Sequence, residues 1–355
     1  MSPRLTISVI ITNYNYARYV GKTIESVLCQ TRLPDEIIVI DDGSTDNSRQ
    51  VIERYQGRIT AVFQPNEGMN PVKNRGYARS SGDLVMFLDS DDIIYPTAIE
   101  AVERAFGPGI AKVQFELDII DSDGVYLGRR FCGYSRRLSV EDTKRQFEQT
   151  GTYIWPVTSG NVYARSFLQQ VMPLTPAVGH DGDLCTIAPL YGGIATIIEP
   201  HGAYRVHSLN ISRVDDAGRI NVVPDFASRI RFRKQEFATL RAHAKRLGKT
   251  LPEGDLLDQE LVFINYRLMA RKIGHEDSGD EKRLVLDLWL KGILAAAGGS
   301  FGIATAFKHI AWLCCLTAAP RPLAHALVEL RYARTHWRAS LRRLIRLRPV
   351  ASPGR

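Results

Sequence analysis

The sequence predicts a doubly wound α/β fold, a mostly parallel sheet with helices on both faces, followed by an α-helical C-terminal region. Three observations carry that prediction. Short runs rich in β-branched and apolar residues alternate with helical patterns over about the first ninety residues. Polar and acidic residues follow directly on three of those runs, at the ends where open α/β sheets bind their ligands. From residue 224 onward only helical spacing is found.

The elements follow in order. Residues 6–11 (TISVII) read as a buried strand, and residues 19–29 place Val20, Ile24, Val27 and Leu28 at helical spacing. Residues 36–40 (EIIVI) form a second strand, stopped by Asp41, Asp42, Gly43 and Ser44. Ser44 or Asp46 is placed to cap the next helix, expected through about Tyr55. Residues 59–63 give a third strand, 72–80 a helix, and 84–88 (LVMFL) a fourth strand that runs into Asp89, Ser90, Asp91 and Asp92. There is no Gly-x-Gly-x-x-Gly after the first strand, so a dinucleotide site has little support. A helix from Pro96 to about Phe106 precedes strands over 112–120 and 125–130, joined by a turn at residues 121–124 (DSDG). Further strand-like pieces lie at 161–164, 194–198 and 203–206, and residues 182–190 open a helix. The expected catalytic domain covers 1–220 and the helical region 221–355, divided in the polar stretch 213–221.

The strand ends carry the chemistry. Tyr14 offers a ring on which a base can lie, and Asp42 can accept from a base or a ribose hydroxyl. Asp89 and Asp91 are two hard oxygen donors one residue apart, which beside bound phosphates suits Mg²⁺ or Mn²⁺. Such an ion neutralises a diphosphate and makes it a better leaving group. Plainer readings stay open for each. The Asp89 and Asp91 pair is compatible with helix capping, residues 41–44 with a simple turn, and Tyr14 with a packed surface aromatic.

The segments SVIITNYNYARYVGKTIESVLCQT, EIIVIDDGSTDNS and SGDLVMFLDSDD together resemble the start of the inverting glycosyltransferases of family 2, enzymes with the GT-A fold common in bacterial polysaccharide and cell-surface synthesis. The match is close over about the first 92 residues and continues in scattered motifs to His207. Each motif alone is weak; their joint order and spacing are specific. The resemblance implies hexosyl transfer from a nucleotide-diphosphate-sugar, most often a UDP-sugar, to a hydroxyl of a glycan or lipid-linked acceptor. Thr12, Tyr14 and Asp42, with Asp41 beside them, stand where the family binds base and ribose. Lys73 and Asn74 begin KNRG, which resembles the family's Arg-Asn-x-Gly segment near the diphosphate, with lysine in place of arginine. Asp89 and Asp91 match its Asp-x-Asp pair, with Asp89 also near the donor.

Two downstream motifs complete the set. Residues 180–184 (HDGDL) resemble Glu-Asp-x-Asp-Leu, which makes Asp181 the catalytic base, with His180 departing from the family's glutamate. Residues 204–207 (YRVH) resemble Tyr-Arg-x-His and make His207 a candidate metal ligand beside Asp89 and Asp91. Residues 158–161 (TSGN) sit where the family has a small-residue loop near acceptor and sugar. Asp181 as a helix cap, His207 as a structural residue and Lys73 as a solvated charge are the plainer alternatives.

Composition sets the remaining bounds. The 355 residues are 45% hydrophobic and 24% charged, ordinary for a globular protein. Five cysteines without a Cys-x-x-Cys argue against a disulfide framework or thiolate zinc site. Residues 1–14 lack a basic region followed by a long apolar run, so no secretory signal is expected. Residues 320–355 hold nine arginines and one acid, Glu329, an excess equal to the whole chain's +8. Leucines, Ile345 and Trp337 share a helical face there, so residues 320–348 suit an anionic membrane surface, or else pack as a helix with a solvated basic face. The apolar stretches 284–297 and 301–319 are expected to be buried or to lie on a membrane rather than cross it, because Lys308 and His309 interrupt the second. No nucleic-acid module accompanies the charge. The expected location is cytoplasmic, peripheral at the inner face of the plasma membrane. The competing class is a non-catalytic membrane-surface binding protein with a degenerate glycosyltransferase fold.

Overall fold

The computed structural model describes residues 4–134, 138–175, 182–207, 225–274, 285–298 and 303–332. The chain divides into two compact units, Met1–His207 with Glu236–Pro252, and Ser208–Gln235 with Glu253–Arg355. The expected boundary stretch 213–221 and the tail beyond residue 332 lie outside the described residues.

Among the described residues the first unit carries one mixed sheet. Its first half is parallel: β1 (Ile7–Asn13) lies between β2 (Glu36–Asp42) and β4 (Leu84–Asp89), and β3 (Thr60–Gln64) pairs with β2. The helices α1 (Ala17–Leu28), α2 (Ser48–Glu53) and α3 (Met69–Arg79) connect these strands. Ile7, Val9, Ile10, Ile11 and all of Leu84 to Leu88 are buried, as expected of strands covered on both faces. Gly76 of α3 is needed for that covering, since a Cβ there would stand 2.4 Å from Cγ2 of Ile10.

The second half of the sheet is mostly antiparallel and includes the expected hairpin of residues 112–120 and 125–130. β6 (Ile110–Ile120) pairs antiparallel with β8 (Asn161–Ala164) and β7 (Tyr126–Arg130), and parallel with β9 (Gly193–Arg205). The short β5 (Ile93–Ile94) runs antiparallel to β9, and α4 (Ala98–Ala105) follows it. The two strand-like pieces expected at 194–198 and 203–206 are one strand, because a register shift at Phe115 and Glu116 of β6 accommodates Pro200. The hairpin turn forms at residues 121–124, where Asp121 Oδ1 accepts from the amides of Asp123 and Val125, each at 2.9 Å. The helices α5 (Val140–Thr150), α6 (Arg165–Val171) and α7 (Gly182–Ile187) complete the described part of this half, apart from α8 (Phe226–Arg246), whose residues fall in both units.

In the second unit, α9 (Leu261–Ile273) packs against α10 (Val285–Gly298), α11 (Ile303–Ala318) and α12 (Arg321–Tyr332). Arg267, fully buried on α9, is held by the carboxylates of Asp255 and Asp258, and Lys291 of α10 also reaches Asp258, at 2.6 Å. Among the described residues no helix is long and apolar enough to cross a membrane.

Candidate active site

The parallel register aligns the carboxyl ends of β1, β2 and β4. Thr12 stands opposite Ile40 on one side and Asp89 on the other, and Asn13 stands opposite Asp41. This is the edge at which an open α/β sheet offers its loops to a ligand.

At the β2 end the two aspartates are engaged by the protein itself. Asp41 Oδ1 accepts from Asn13 Nδ2 at 2.7 Å and from the Ser44 hydroxyl at 2.5 Å, and Oδ2 accepts from the Ser44 amide at 3.1 Å. Ser44 therefore closes the turn after β2 instead of capping α2. Asp46 Oδ1 accepts from the Ser48 amide at 2.9 Å, at the start of that helix. Asp42 Oδ1 accepts from Gln64 Nε2 at 2.7 Å and the Glu67 amide at 3.0 Å, while Oδ2 accepts from the Gly68 amide at 2.9 Å. Asp42 thus shapes the loop that leads into α3.

The loop after β1 is tied to the same turn. Asn15 adopts a left-handed backbone, φ 58°, one of the few non-glycine residues that tolerates it. Its Oδ1 accepts from the Thr45 amide at 2.7 Å and its own amide donates to Ser44 Oγ at 2.9 Å. Tyr14, which follows β1 at the sheet edge, has 46% of its surface exposed.

On α3, Lys73 is buried, so the reading of it as a solvated charge fails. Asn74 donates to the Leu174 carbonyl at 2.8 Å and accepts from the Leu174 amide at 2.7 Å, clamping the chain that follows α6. Asn70 holds the next residue through the Thr175 carbonyl at 2.8 Å.

The β4 end differs. Asp91 and Asp92 are buried, and Asp89 is partly so. Asp91 Oδ2 lies 3.0 Å from His207 Nε2. Asp92 Oδ2 accepts from the Ser159 hydroxyl at 2.6 Å and Oδ1 from the Arg205 amide at 2.8 Å; Ser159 Oγ also receives the Asp89 amide at 3.2 Å. Burial, and then the charges of Asp91 and Asp89, push the Asp92 carboxyl well above the ordinary carboxylate range. Burial and the same two charges raise the Tyr16 phenol.

Aromatic rings fix the histidine. Tyr19 stacks on His207 with centroids 4.9 Å apart, and Tyr16 meets it edge-on at 5.4 Å. The Arg205 guanidinium lies 5.0 Å from the other ring partner, Tyr19. Arg205 also donates from Nε to the Asp91 carbonyl at 2.8 Å and from Nη1 to the Asp121 carbonyl at 3.2 Å.

Among the described residues no group of three or more His, Cys, Asp or Glu could by itself hold a metal ion. Asp91 Oδ2 and His207 Nε2 are joined by a direct hydrogen bond of 3.0 Å, and a carboxylate oxygen and an imidazole nitrogen are donor types that Mn²⁺ accepts, so these two could take part in holding an ion in place of that bond. Ions of this kind commonly take one or two protein ligands and complete their shell with phosphate oxygens and water.

The structure thus brings Thr12, Asp89, Asp91 and His207 to one edge, with Tyr14 on the loop that follows β1 there, and gives Asp41, Asp42 and Asn74 structural hydrogen bonds. Asp181 and His180 lie outside the described residues. Sequence reasoning passed over Tyr16, Tyr19, Asp92 and Arg205. Asp92 closes SGDLVMFLDSDD, Arg205 stands inside YRVH, and Tyr16 repeats the Asn-Tyr pair of Asn13 and Tyr14 within the first quoted segment, which also holds Tyr19; those positions are the signal that could have found them.

Comparison with known proteins decides the family. Residues 8–171 match the model of glycosyl transferase family 2. The chain belongs to that family. This family 2 chain is 38% identical over 215 residues to an uncharacterized glycosyltransferase of Nostoc sp., covering 58% of this chain and 66% of the relative. It is 34% identical over 162 residues to the chondroitin synthase of Pasteurella multocida, covering 43% of this chain and 17% of that protein. It therefore spans less than two thirds of either relative's length. Among solved structures, S. aureus TarS 1–349 in complex with UDP-GlcNAc superposes with a TM-score of 0.52 at 15% identity, over 95% of this chain and 92% of that one. That likeness concerns the fold, which is of the GT-A type.

Proposed function

We propose that this chain transfers a sugar from a nucleotide-diphosphate-sugar, a UDP-sugar by family frequency, to a hydroxyl of a glycan or lipid-linked acceptor, with inversion at the anomeric carbon. The observation that carries the reading is the β4 end, where Asp91 meets His207 beside Asp89 and Asp92 at the ligand edge of the sheet. Carboxylates this close disfavour one another's ionised form, and a divalent cation beside them would favour it.

Tyr14 offers its exposed face to the base and Thr12 lies beside it at the strand end. Asp41 and Asp42 act by holding the loops that frame the nucleotide, and Lys73 and Asn74 lie on the helix assigned to the diphosphate. Asp91 and His207, with Asp89 beside them, would hold a Mn²⁺ or Mg²⁺ ion, which when bound supplies neutralisation of the diphosphate charge. Asp181 takes the proton of the acceptor hydroxyl. That oxygen forms a bond to the anomeric carbon on the face opposite the departing diphosphate, and the bond from that carbon to the diphosphate breaks. Positioning and fixed charge supply most of the catalysis. The location proposed is cytoplasmic, with residues 320–348 against an anionic membrane surface.

The test is a screen of nucleotide-sugars for hydrolysis and transfer in the presence of Mn²⁺, beginning with UDP-GlcNAc. Turnover that disappears on chelation and is restored by Mn²⁺ is expected. The Asp181→Asn variant should lose about 10²- to 10⁴-fold in transfer, the usual worth of a general base, and retain donor affinity by calorimetry. Absence of both turnover and metal-dependent nucleotide binding would leave the non-catalytic membrane-binding class.

A further inference from the structure

The second unit leaves an apolar row bare. α10 buries Leu288 and Ala296, and Gly292 admits Leu313 of α11 so closely that a Cβ would stand 2.9 Å from Leu313 Cδ1. The opposite side of α10 carries Leu286, Leu290 and Leu294, at spacing i, i+4 and i+8, with 65%, 51% and 63% of their surfaces exposed. On α11, Leu313 and Leu316 are buried while Phe307 is 70% exposed and Cys314 and Cys315 are exposed too. A helix in water turns such a row toward a core, and a contiguous apolar strip left outside marks an interaction surface.

We propose that this face of α10, with Phe307 of α11, is the apolar footprint by which the chain lies in the surface of an anionic lipid bilayer. The inference rests on the proposed membrane association and moves its apolar contact from the arginine-rich tail to the folded helices. Among the described residues neither helix is long enough to cross. The 14 residues of α10 and 16 of α11 reach about 21 and 24 Å at 1.5 Å per residue, short of the roughly 30 Å hydrocarbon core. Charge selects the partner. Residues 285–355 contain two acids, Asp287 and Glu329, against eleven lysines and arginines, and Asp287 already faces Lys291 at 3.5 Å. Anionic headgroups complement that balance. A second copy of the chain would bring the same positive excess against itself.

The experiment is co-sedimentation of the full chain with vesicles of phosphatidylcholine alone or mixed with phosphatidylglycerol, at low and high salt. Binding to the mixed vesicles is expected, with a fraction that survives high salt because it is apolar. Substituting Leu286→Asn, Leu290→Asn and Leu294→Asn together should lower the partition about tenfold or more and make what remains fully salt-sensitive. Circular dichroism checks that the helices persist. Leu290→Trp should instead tighten binding, a gain that misfolding does not produce, because indole favours the lipid interface. Replacing Arg334, Arg338, Arg342, Arg343 and Arg346 with glutamine should remove the salt-sensitive part alone.

The inference is overturned if the leucine variant binds vesicles as the unaltered chain does. Should binding then vanish in the glutamine variant, the tail reading stands by itself. A dimer in sedimentation that the leucine variant dissociates, with vesicle binding unchanged, would assign the row to a contact between copies. No binding of the unaltered chain to mixed vesicles would end both readings.

Discussion

Two strands that flank β1 in one sheet, β2 and β4, each lead into adjacent aspartates, and the protein treats the two pairs differently. At the end of β2, Asp41 and Asp42 receive hydrogen bonds from Asn13, Ser44, Gln64, Glu67 and Gly68. At the end of β4, Asp91 faces an aromatic-caged histidine, and Asp92 is raised by burial and by the charges of Asp91 and Asp89. The first pair has its charge dispersed over amides and hydroxyls and builds loops. In the second, Asp92 also accepts from the Ser159 hydroxyl and the Arg205 amide, but it stands beside two further carboxylates, Asp91 and Asp89, that disfavour its ionised form. An aspartate pair at a strand end is therefore not in itself a binding device; its donors decide which it is.

The comparison can be broken by exchanging the roles. The largest expected effect is on turnover: Asp91→Asn should lower metal-dependent transfer by about 10²-fold or more, since a principal charge facing the diphosphate is lost. Its urea midpoint should hold or rise, because Asp92 loses a like-charged neighbour. Asp42→Ala should do the reverse. It leaves the Glu67 and Gly68 amides without their acceptor, so urea denaturation should show a loss of about 1–3 kcal/mol, with residual activity falling in proportion to the folded fraction. If Asp42→Ala abolishes nucleotide binding while the midpoint stays put, the β2 pair is a ligand group after all.

Another carboxylate, at the opposite end of β2, sharpens the contrast with a smaller effect. Glu36 accepts from the Ser8 hydroxyl at 2.6 Å, and from the Ser81 hydroxyl at 2.6 Å and amide at 2.8 Å. Burial pushes this carboxyl up, but those bonds outweigh it and the group titrates below its ordinary value. A depressed folded-state value means the stabilisation is fully present above the unfolded carboxylate range, about 4.3, and is lost as pH falls through the lower folded value. The melting temperature of Glu36→Gln should accordingly lie below that of the unaltered chain near neutrality, and the gap should close on acidification. A gap independent of pH would mean that the ionised form is not what Ser8 and Ser81 hold.

The parallel half of the fold was legible because its strands are continuous apolar runs ending in polar residues, and all of β1 to β4 fall where the pattern puts them. The second half was harder for physical reasons. β5 is two residues long, and α5 buries only Thr143 and Phe147, too few to set a period. Its signal was local, a capping box in which Ser139 accepts from the Asp142 amide at 3.0 Å and Asp142 accepts from the Ser139 amide at 3.1 Å. Pro200 split β9 in the sequence reading because a bulge cannot be seen in one strand alone. In the site, the meeting of Asp91 with His207 followed from the family resemblance. The rings of Tyr16 and Tyr19 around that histidine did not, since they depend on how the start of α1 faces the end of β9, more than 180 residues on.

Arg205 has a mechanical consequence. One guanidinium grips the backbone carbonyls of Asp91 and Asp121 while the Arg205 amide holds the Asp92 carboxylate. The tip of the β6–β7 hairpin and the acidic turn are thereby bolted to a common post. Lengthening or shortening that hairpin would retune the spacing of the aspartates without replacing any of them, which gives the scaffold a dial for donor fit that lies outside every motif.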